Sequence, residues 1–266
     1  MNHGVMNHGL MNHGVRALVT AIVLCALVPA GADEPLPSGT AFLSEALRAR
    51  QQDPAMNPGM LWVDAGRALW DDPAGAAGRS CADCHGDAAD SMAGVAARYP
   101  AWSRAAGELL NLEGRINRCR TEHQQADALA YESESLLSLT AFVARQSLGM
   151  PMQVRIDGPA AAYYRAGEAL FHQRQGQLNL SCSQCHDDHA GHRLRGDTIS
   201  YGLGNGYPVY RLEWQSLGSL HRRLRACSLG VRALRFDYGS PAYLALELYL
   251  AHRAAGVPVE TPALRR

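Results

Sequence analysis

Two copies of one pattern of cysteine and histidine stand out in this chain. Residues 81–85 read C-A-D-C-H, and residues 182–186 read C-S-Q-C-H. Two thiols and an imidazole at this spacing can attach a haem through two thioether bonds and bind its iron through the histidine. We therefore predict two covalently bound c-type haems, haem 1 on Cys81 and Cys84 with His85 as iron ligand, and haem 2 on Cys182 and Cys185 with His186.

Other uses of such cysteines fit the sequence less well. A structural zinc ion would need four ligands in paired clusters. A thioredoxin-like redox pair would need a β-α-β context, which the pattern of the chain does not offer. A disulfide within each pair is the remaining alternative.

The two motifs lie in a repeated unit. Residues 65–70 (AGRALW) match residues 166–171 (AGEALF) at an offset of 101, which also separates the two motifs. Downstream the offset becomes 108, where Arg115 and Cys119 match Arg223 and Cys227. Toward the end of each unit the offset is 107, where Gly149 and Pro151 match Gly256 and Pro258. An offset that changes in only two steps indicates an internal duplication with a seven-residue insertion after the second motif, within residues 187–206.

The elements that position the motifs are predicted to be helices. Residues 136–148 and 243–255 carry apolar side chains at helical spacing, and each run is followed by glycine and then proline, a typical helix stop. We predict a mostly α fold with two tandem class I cytochrome c-like domains, residues 33–152 and 153–266, formed by internal duplication. The Gly-rich stretch 202–206 is predicted to be a loop.

Residues 1–32 are predicted to be a signal peptide. Arg16 precedes an apolar run, residues 17–30, that is shorter than a membrane-spanning helix requires. Ala30-Gly31-Ala32 then supplies small residues for cleavage near Ala32. We expect a periplasmic protein with no membrane span after processing; an uncleaved membrane anchor is the alternative.

Composition narrows the functional classes. All 25 basic residues are arginine, and they balance 25 acidic residues. The absence of lysine excludes Schiff-base chemistry, and a neutral chain without a basic run argues against nucleic-acid binding. Apolar residues make up 47% of the chain, enough for a packed core.

The second iron ligand of each haem decides the chemistry. The chain has no methionine after Met152, which leaves these candidates in the second unit: His189, His192, His221, His252 and Cys227. Cys119 and Cys227 are equivalent, and each follows an arginine by four residues, an environment that favours the metal-binding thiolate. We predict Cys119 on haem 1 and Cys227 on haem 2; a Cys119–Cys227 disulfide is the alternative. A haem with a thiolate ligand is hard to reduce, which favours sulfur chemistry over simple electron shuttling.

Residues 207–227, which end at Cys227, and residues 238–251 resemble the SoxA family, the c-type cytochrome subunits of the periplasmic thiosulfate-oxidising Sox system. Because both C-x-x-C-H motifs are present, the chain is similar to the dihaem branch of that family. The resemblance implies an L-cysteine S-thiosulfotransferase, which couples thiosulfate oxidatively to a cysteine thiol of the carrier protein SoxYZ and passes two electrons to cytochrome c. It also implies a monohaem companion, SoxX, in a heterodimer.

The resemblance further implies roles for single residues. Cys227 would carry a persulfide intermediate while it ligates haem 2, Arg223 would bind substrate, and Cys119 would be the distal ligand of haem 1. Arg253 is the candidate for a further active-site arginine. A haem propionate is the alternative partner of Arg223, and a non-catalytic dihaem electron-transfer cytochrome is the alternative function.

Overall fold

The computed structural model describes residues 34–266 together with Met1 and Gly4, so the predicted signal peptide lies, but for those two residues, outside the described residues. Its helices are Glu45–Gln52 (α1), Met60–Asp71 (α2), Cys81–His85 (α3), Ala88–Ser91 (α4), Leu112–Cys119 (α5), Glu134–Arg145 (α6), Ala160–His172 (α7), Cys182–His186 (α8), Leu220–Gly230 (α9) and Pro241–Arg253 (α10). Its strands are Ala101–Ser103 (β1), Glu108–Leu110 (β2), Arg193–Leu194 (β3), Asp197–Thr198 (β4), Val209–Arg211 (β5), Ser216–Gly218 (β6) and Ala263–Arg265 (β7).

The same order of elements occurs twice. Helices α2 and α3, the antiparallel hairpin β1–β2 and helices α5 and α6 recur as α7, α8, the hairpin β5–β6, α9 and α10. The predicted closing helices are confirmed, each displaced by about two residues. Helix α6 begins early because the Ser133 hydroxyl caps the backbone N–H of Leu136, and α10 begins at Pro241, a residue whose fixed φ suits the first helical position.

A glycine marks the crossing of the long helices in each half. Helix α2 packs on α6, and α7 packs on α10. A Cβ atom at Gly66 would collide with the carbonyl oxygen of Ser138, and one at Gly167 would collide with the carbonyl oxygen of Ala245. Both repeats therefore have glycine at this position because the backbones of the two helices approach closely there.

The two hairpins pack on opposite halves of the molecule. Tyr210 and Leu217 of β5–β6 lie in the core built on α2 and α6, whereas Leu109 of β1–β2 packs with Leu248 of α10. Equivalent aromatic contacts accompany this exchange, with ring centroids 5.8 Å apart for Trp62–Tyr210 and 6.2 Å apart for Tyr163–Trp102. Each half thus completes the other's core.

This reciprocal packing joins residues Pro35–Arg266 into one compact unit. Strand β7 adds to it by pairing in parallel with β5, and the backbone N–H of Met152 donates to the carbonyl of Val257 at 2.9 Å. Among the residues that the structure describes, no helix is long and apolar enough to cross a membrane.

Residues 187–206, the segment predicted to contain the insertion, form a structure that the first half lacks. It holds the short hairpin β3–β4, in which Arg193 pairs with Thr198. It then runs through Ser200 and Gly202 toward helix α8, and these contacts bear directly on the second C-x-x-C-H motif.

Candidate haem sites

Both C-x-x-C-H motifs form short helices, α3 and α8, that are capped in the same way. In α3 the Ser80 hydroxyl accepts from the backbone N–H of Asp83 at 3.0 Å, and the Asp83 carboxylate accepts from the N–H of Ser80 at 2.8 Å. Ser181 and Gln184 repeat this reciprocal arrangement in α8. A capping box fixes the first turn of a helix, so the paired thiols are held at a defined spacing; all six cysteines of the described residues are free.

The ring of His186 is oriented by the inserted segment. Its Nδ1 atom lies 2.6 Å from the backbone carbonyl of Ser200, a contact that leaves Nε2 available for a metal, as is usual for metal-binding histidines. Gly202, at φ +71°, passes over the same ring, and a Cβ atom there would lie 3.0 Å from Cγ. The glycine loop, to which the sequence assigned no role, thus packs on His186.

Cys227 lies on α9 and faces His186. It is half-buried, and burial alone would raise the pKa of its thiol. The Arg223 guanidinium, a hydrogen bond from His186 and the Arg211 guanidinium act in the opposite direction and bring the pKa down to about 7. Cationic neighbours thus favour the thiolate, the form of cysteine that binds metals and acts as a nucleophile.

Two arginines flank this thiol, and the sequence indicated only one of them. Arg223 lies one helical turn before Cys227, whose thiolate raises the pKa of Arg223. Arg211, on β5, is 5% exposed; burial and the nearby Arg223 guanidinium lower its pKa. The hairpin β5–β6 returns Arg211 to the site from 16 positions upstream, a relation that no helical spacing could reveal.

The Arg211 side chain is held at its outer end. One guanidinium nitrogen lies 3.4 Å from the Asp197 carboxylate, while Nε is buried without a hydrogen-bond partner. Trp214 stacks against the arginines, with the Arg211 guanidinium 5.3 Å and the Arg222 guanidinium 4.2 Å from its ring. Trp214 therefore packs against both the Arg211 and Arg222 side chains and helps to hold them in place.

The first site keeps the layout but differs in charge. Cys119 ends α5 beside Cys81 and Cys84, and burial raises its thiol pKa; Arg115 lowers that pKa, while the Glu122 carboxylate raises it further. The Arg115 guanidinium donates to the Tyr99 hydroxyl and to Ser103 Oγ, each at 3.1 Å. Trp70 packs against His85, with ring centroids 5.7 Å apart.

The structure places the candidates for the second iron ligand in different surroundings. Cys119 and Cys227 are free and lie beside different C-x-x-C-H motifs, an arrangement that favours separate haem ligands over a Cys119–Cys227 disulfide. The other candidate ligands have other neighbours: His221 contacts Glu247, His252 contacts Tyr164, His189 hydrogen-bonds the Gln184 carbonyl, and His192 lies against His189.

Arg253, the sequence-based candidate for a further active-site arginine, contacts the end of α8. Its guanidinium forms an ion pair of 2.6 Å with Asp187, the residue after His186, and lies 4.6 Å from the ring of Phe171. It ties the end of α8 to α10. The geometry favours Arg211 as the second arginine of the site.

The residues present at both sites fit a c-type haem. Each site offers two thiols on a capped turn, a histidine after them, and a cysteine on a second helix. At the second site a backbone carbonyl on Nδ1 orients the histidine as metal-binding histidines require.

Comparison with known proteins shows the family of the chain. The sequence model of the SoxA/TsdA cytochrome c domain matches residues 65–152 and again residues 166–259. The L-cysteine S-thiosulfotransferase subunit SoxA of Rhodovulum sulfidophilum is 41% identical over 86% of this chain and 79% of its own length. The subunit of the same name from Pseudaminobacter salicylatoxidans is 40% identical over 86% of this chain and 80% of its own length.

A solved structure extends the likeness to three dimensions. The crystal structure of SoxXA from P. pantotrophus superposes with a TM-score of 0.84 at 37% identity, covering 87% of each chain. The chain therefore belongs to the SoxA/TsdA cytochrome c family, a family with c-type haem, and its relatives there are SoxA subunits.

Proposed function

We propose that this protein is the SoxA subunit of an L-cysteine S-thiosulfotransferase and that the second haem site is its active site. The reaction couples thiosulfate to a cysteine thiol of the carrier protein SoxYZ. The thiol loses its proton, a sulfur–sulfur bond forms to give the cysteine S-thiosulfonate, and two electrons leave for cytochrome c. The names of the relatives and the likeness to SoxXA support this function.

The residues that would hold the cofactors follow from the two sites. Haem 1 would be attached to Cys81 and Cys84 and ligated by His85 and Cys119; haem 2 would be attached to Cys182 and Cys185 and ligated by His186 and Cys227. When bound, haem 2 supplies an acceptor that takes electrons one at a time.

The observation that carries the proposal is the pair of guanidiniums beside the Cys227 thiol. Thiosulfate is a dianion, and the planar fork of arginine binds oxyanions through charge-assisted hydrogen bonds. Arg223 and Arg211 would hold the sulfonate oxygens and keep Cys227 deprotonated. Cys227, as a persulfide, would form the covalent intermediate, since a nucleophile that bonds to the substrate divides one difficult step into two easier ones.

The assembly follows the same family pattern. SoxX would be the monohaem partner in a heterodimer, as the likeness to the SoxXA crystal structure supports. The finer organisation, two tandem class I cytochrome c-like domains of residues 33–152 and 153–266 formed by duplication, is supported by the two separate matches to the family's domain. We further propose that residues 1–32 direct export to the periplasm.

A matched pair of variants tests the proposal. Cys227→Met and Cys119→Met remove equivalent thiols, and methionine keeps an iron-binding sulfur at each position. With SoxX and SoxYZ present, Cys227→Met should abolish thiosulfate-dependent reduction of cytochrome c, whereas Cys119→Met should retain it. Haem staining and EPR spectra of both variants establish that each still holds two haems. Near-normal turnover by haem-loaded Cys227→Met would instead mean that Cys227 only tunes haem 2, whereas a lack of turnover by the unmodified complex would identify a non-catalytic electron-transfer cytochrome.

A further inference from the structure

A group of buried ionisable side chains joins the two halves, outside both C-x-x-C-H motifs. Glu113 and His221 occupy equivalent positions, each six residues before the distal cysteine of its helix, α5 or α9. They meet around Glu247 of α10 and Glu132, which precedes α6. We call these four residues the seam cluster.

Geometry fixes the protonation state of the histidine. The backbone N–H of Gly239 donates to Nδ1 of His221 at 3.1 Å, so that nitrogen carries no proton. The remaining ring proton is on Nε2, which lies 2.9 Å from the Glu247 carboxylate. Asn111 also donates to this carboxylate, at 3.1 Å. Glu247 thus has the donors that an ionised carboxylate needs, and His221 is neutral.

Glu113 has no such set of donors. Its side chain is buried, and the other carboxylates of the seam cluster face it. Burial, and then the Glu247 carboxylate, raise the pKa of Glu113 to about 8, so it holds a proton at neutral pH. The ionisable groups around it are Tyr131 and Glu132 before α6, His221 and Arg222 on α9, and Glu247 on α10.

A small cavity beside the Glu113 carboxyl group is large enough to hold water. Its volume is about 50 Å³, and both Glu113 and Glu247 line it. A single water needs about 10–15 Å³ of such space, so the cavity admits water beside the two carboxyl groups. The lining also includes the equivalent residues Tyr99 and Tyr207: the Tyr99 hydroxyl accepts a hydrogen bond from Arg115, and the Arg223 guanidinium lies close enough to Tyr207 to lower its pKa against the effect of burial.

We propose that Glu113, which lines the cavity together with Glu247, is a proton-binding site coupled to haem reduction: at alkaline pH, where Glu113 is ionised in the oxidised protein, it takes up one proton when a haem is reduced and releases it when that haem is oxidised. One electron enters the iron and one proton moves from solvent to the Glu113 carboxylate, so the net charge of the interior is unchanged.

Distance supports the coupling. Six residues of helix separate Glu113 from Cys119, which corresponds to about 9 Å along the axis. Charges that far apart in a protein interior interact appreciably. Added negative charge on reduction favours the protonated carboxyl. The midpoint potential therefore falls with rising pH between the Glu113 pKa of the oxidised protein and the higher pKa of the reduced protein.

Redox titration of the haem-loaded protein tests this site. The midpoint potentials should be nearly constant at neutral pH and should fall as the pH rises above about 8. Glu113→Gln keeps the side-chain shape but cannot release a proton, so the fall should be lost. Glu168→Gln, which removes an exposed carboxylate on α7, should behave as the unmodified protein. An unchanged slope in Glu113→Gln, or flat potentials in the unmodified protein, would overturn the proposal.

Infrared difference spectra of the unmodified protein give a second test that needs no variant to fold. Oxidation and reduction should change the carbonyl stretching band of a protonated carboxyl group, and the band should shift in heavy water. If the spectra at several pH values contain no such band, the proton is bound elsewhere, as on a haem propionate, and the proposal fails.

Discussion

The two haem sites share a scaffold, but they shift the pKa of their second cysteine, Cys119 or Cys227, in opposite directions. Cys119 and Cys227 sit at equivalent points of α5 and α9, one helical turn after an arginine. Burial raises the pKa of the Cys119 thiol, with Glu122 adding to that effect, whereas charge lowers the pKa of Cys227 to about 7. Equal geometry therefore does not produce equal chemistry.

Substitutions at two equivalent positions and the inserted segment account for the difference. Ser103 stands where the second half has Arg211, and Glu122 stands where it has Gly230. The inserted segment adds Asp197 to hold Arg211 and Ser200 to orient His186. Charge placed around an inherited thiol, rather than a new fold, thus makes the second site suited to an anionic sulfur substrate.

We expect the largest difference in kcat/KM between variants of the two arginines that precede the cysteines, Arg223 and Arg115. Arg223→Ala should lower kcat/KM for thiosulfate by roughly tenfold to a hundredfold, because a charged hydrogen bond contributes about 1.5–3 kcal/mol. Arg115→Ala should leave kcat/KM nearly unchanged. Steady-state kinetics with SoxYZ and cytochrome c measures both. Equal losses in the two variants would mean that the arginines serve the haems and not the substrate.

The scaffold itself should respond equally in both halves. Gly66→Ala and Gly167→Ala each force a methyl group against a backbone carbonyl of the partner helix. We expect each change to lower the free energy of unfolding by about 1–3 kcal/mol, the usual result of overpacking. Urea denaturation of the two variants tests this expectation. A loss confined to one of them would show that the helix crossings are not equivalent.

Replacement of Arg211, the second arginine beside Cys227, should have a smaller effect on kcat/KM. Arg211→Gln should reduce kcat/KM by about tenfold, as expected for one weaker contact to the anion. Arg253→Gln, which breaks the ion pair with Asp187, should change kcat/KM much less. Kinetics at saturating carrier protein compares the two variants. A larger loss of kcat/KM in Arg253→Gln than in Arg211→Gln would mean that Arg253 belongs to the active site.

Much of the architecture could be predicted from the sequence because it depends on local patterns. The C-x-x-C-H motifs, the constant offsets and the glycine stops gave the two haem turns and the closing helices α6 and α10 to within about two residues. The equivalence of Cys119 and Cys227 also indicated two thiols that lie beside different C-x-x-C-H motifs.

Contacts between distant segments could not be predicted in this way. Strands of three residues are too short for a periodic signal, so the exchange of the hairpins β1–β2 and β5–β6 between the halves was not foreseen. Arg211 was missed for the same reason, since it reaches Cys227 through one of these hairpins. The contact of Gly202 with the His186 ring likewise depends on the path of a loop.

Mapping of sulfur adducts tests the central claim most directly. The haem-loaded complex with SoxX is incubated with thiosulfate, digested, and analysed by mass spectrometry. We predict additional sulfur on the peptide that contains Cys227, removable by reductant, and none on the peptide that contains Cys119. Sulfur on Cys119, or an unmodified Cys227 in a complex that turns over thiosulfate, would contradict the assignment of the chemistry to the second haem site.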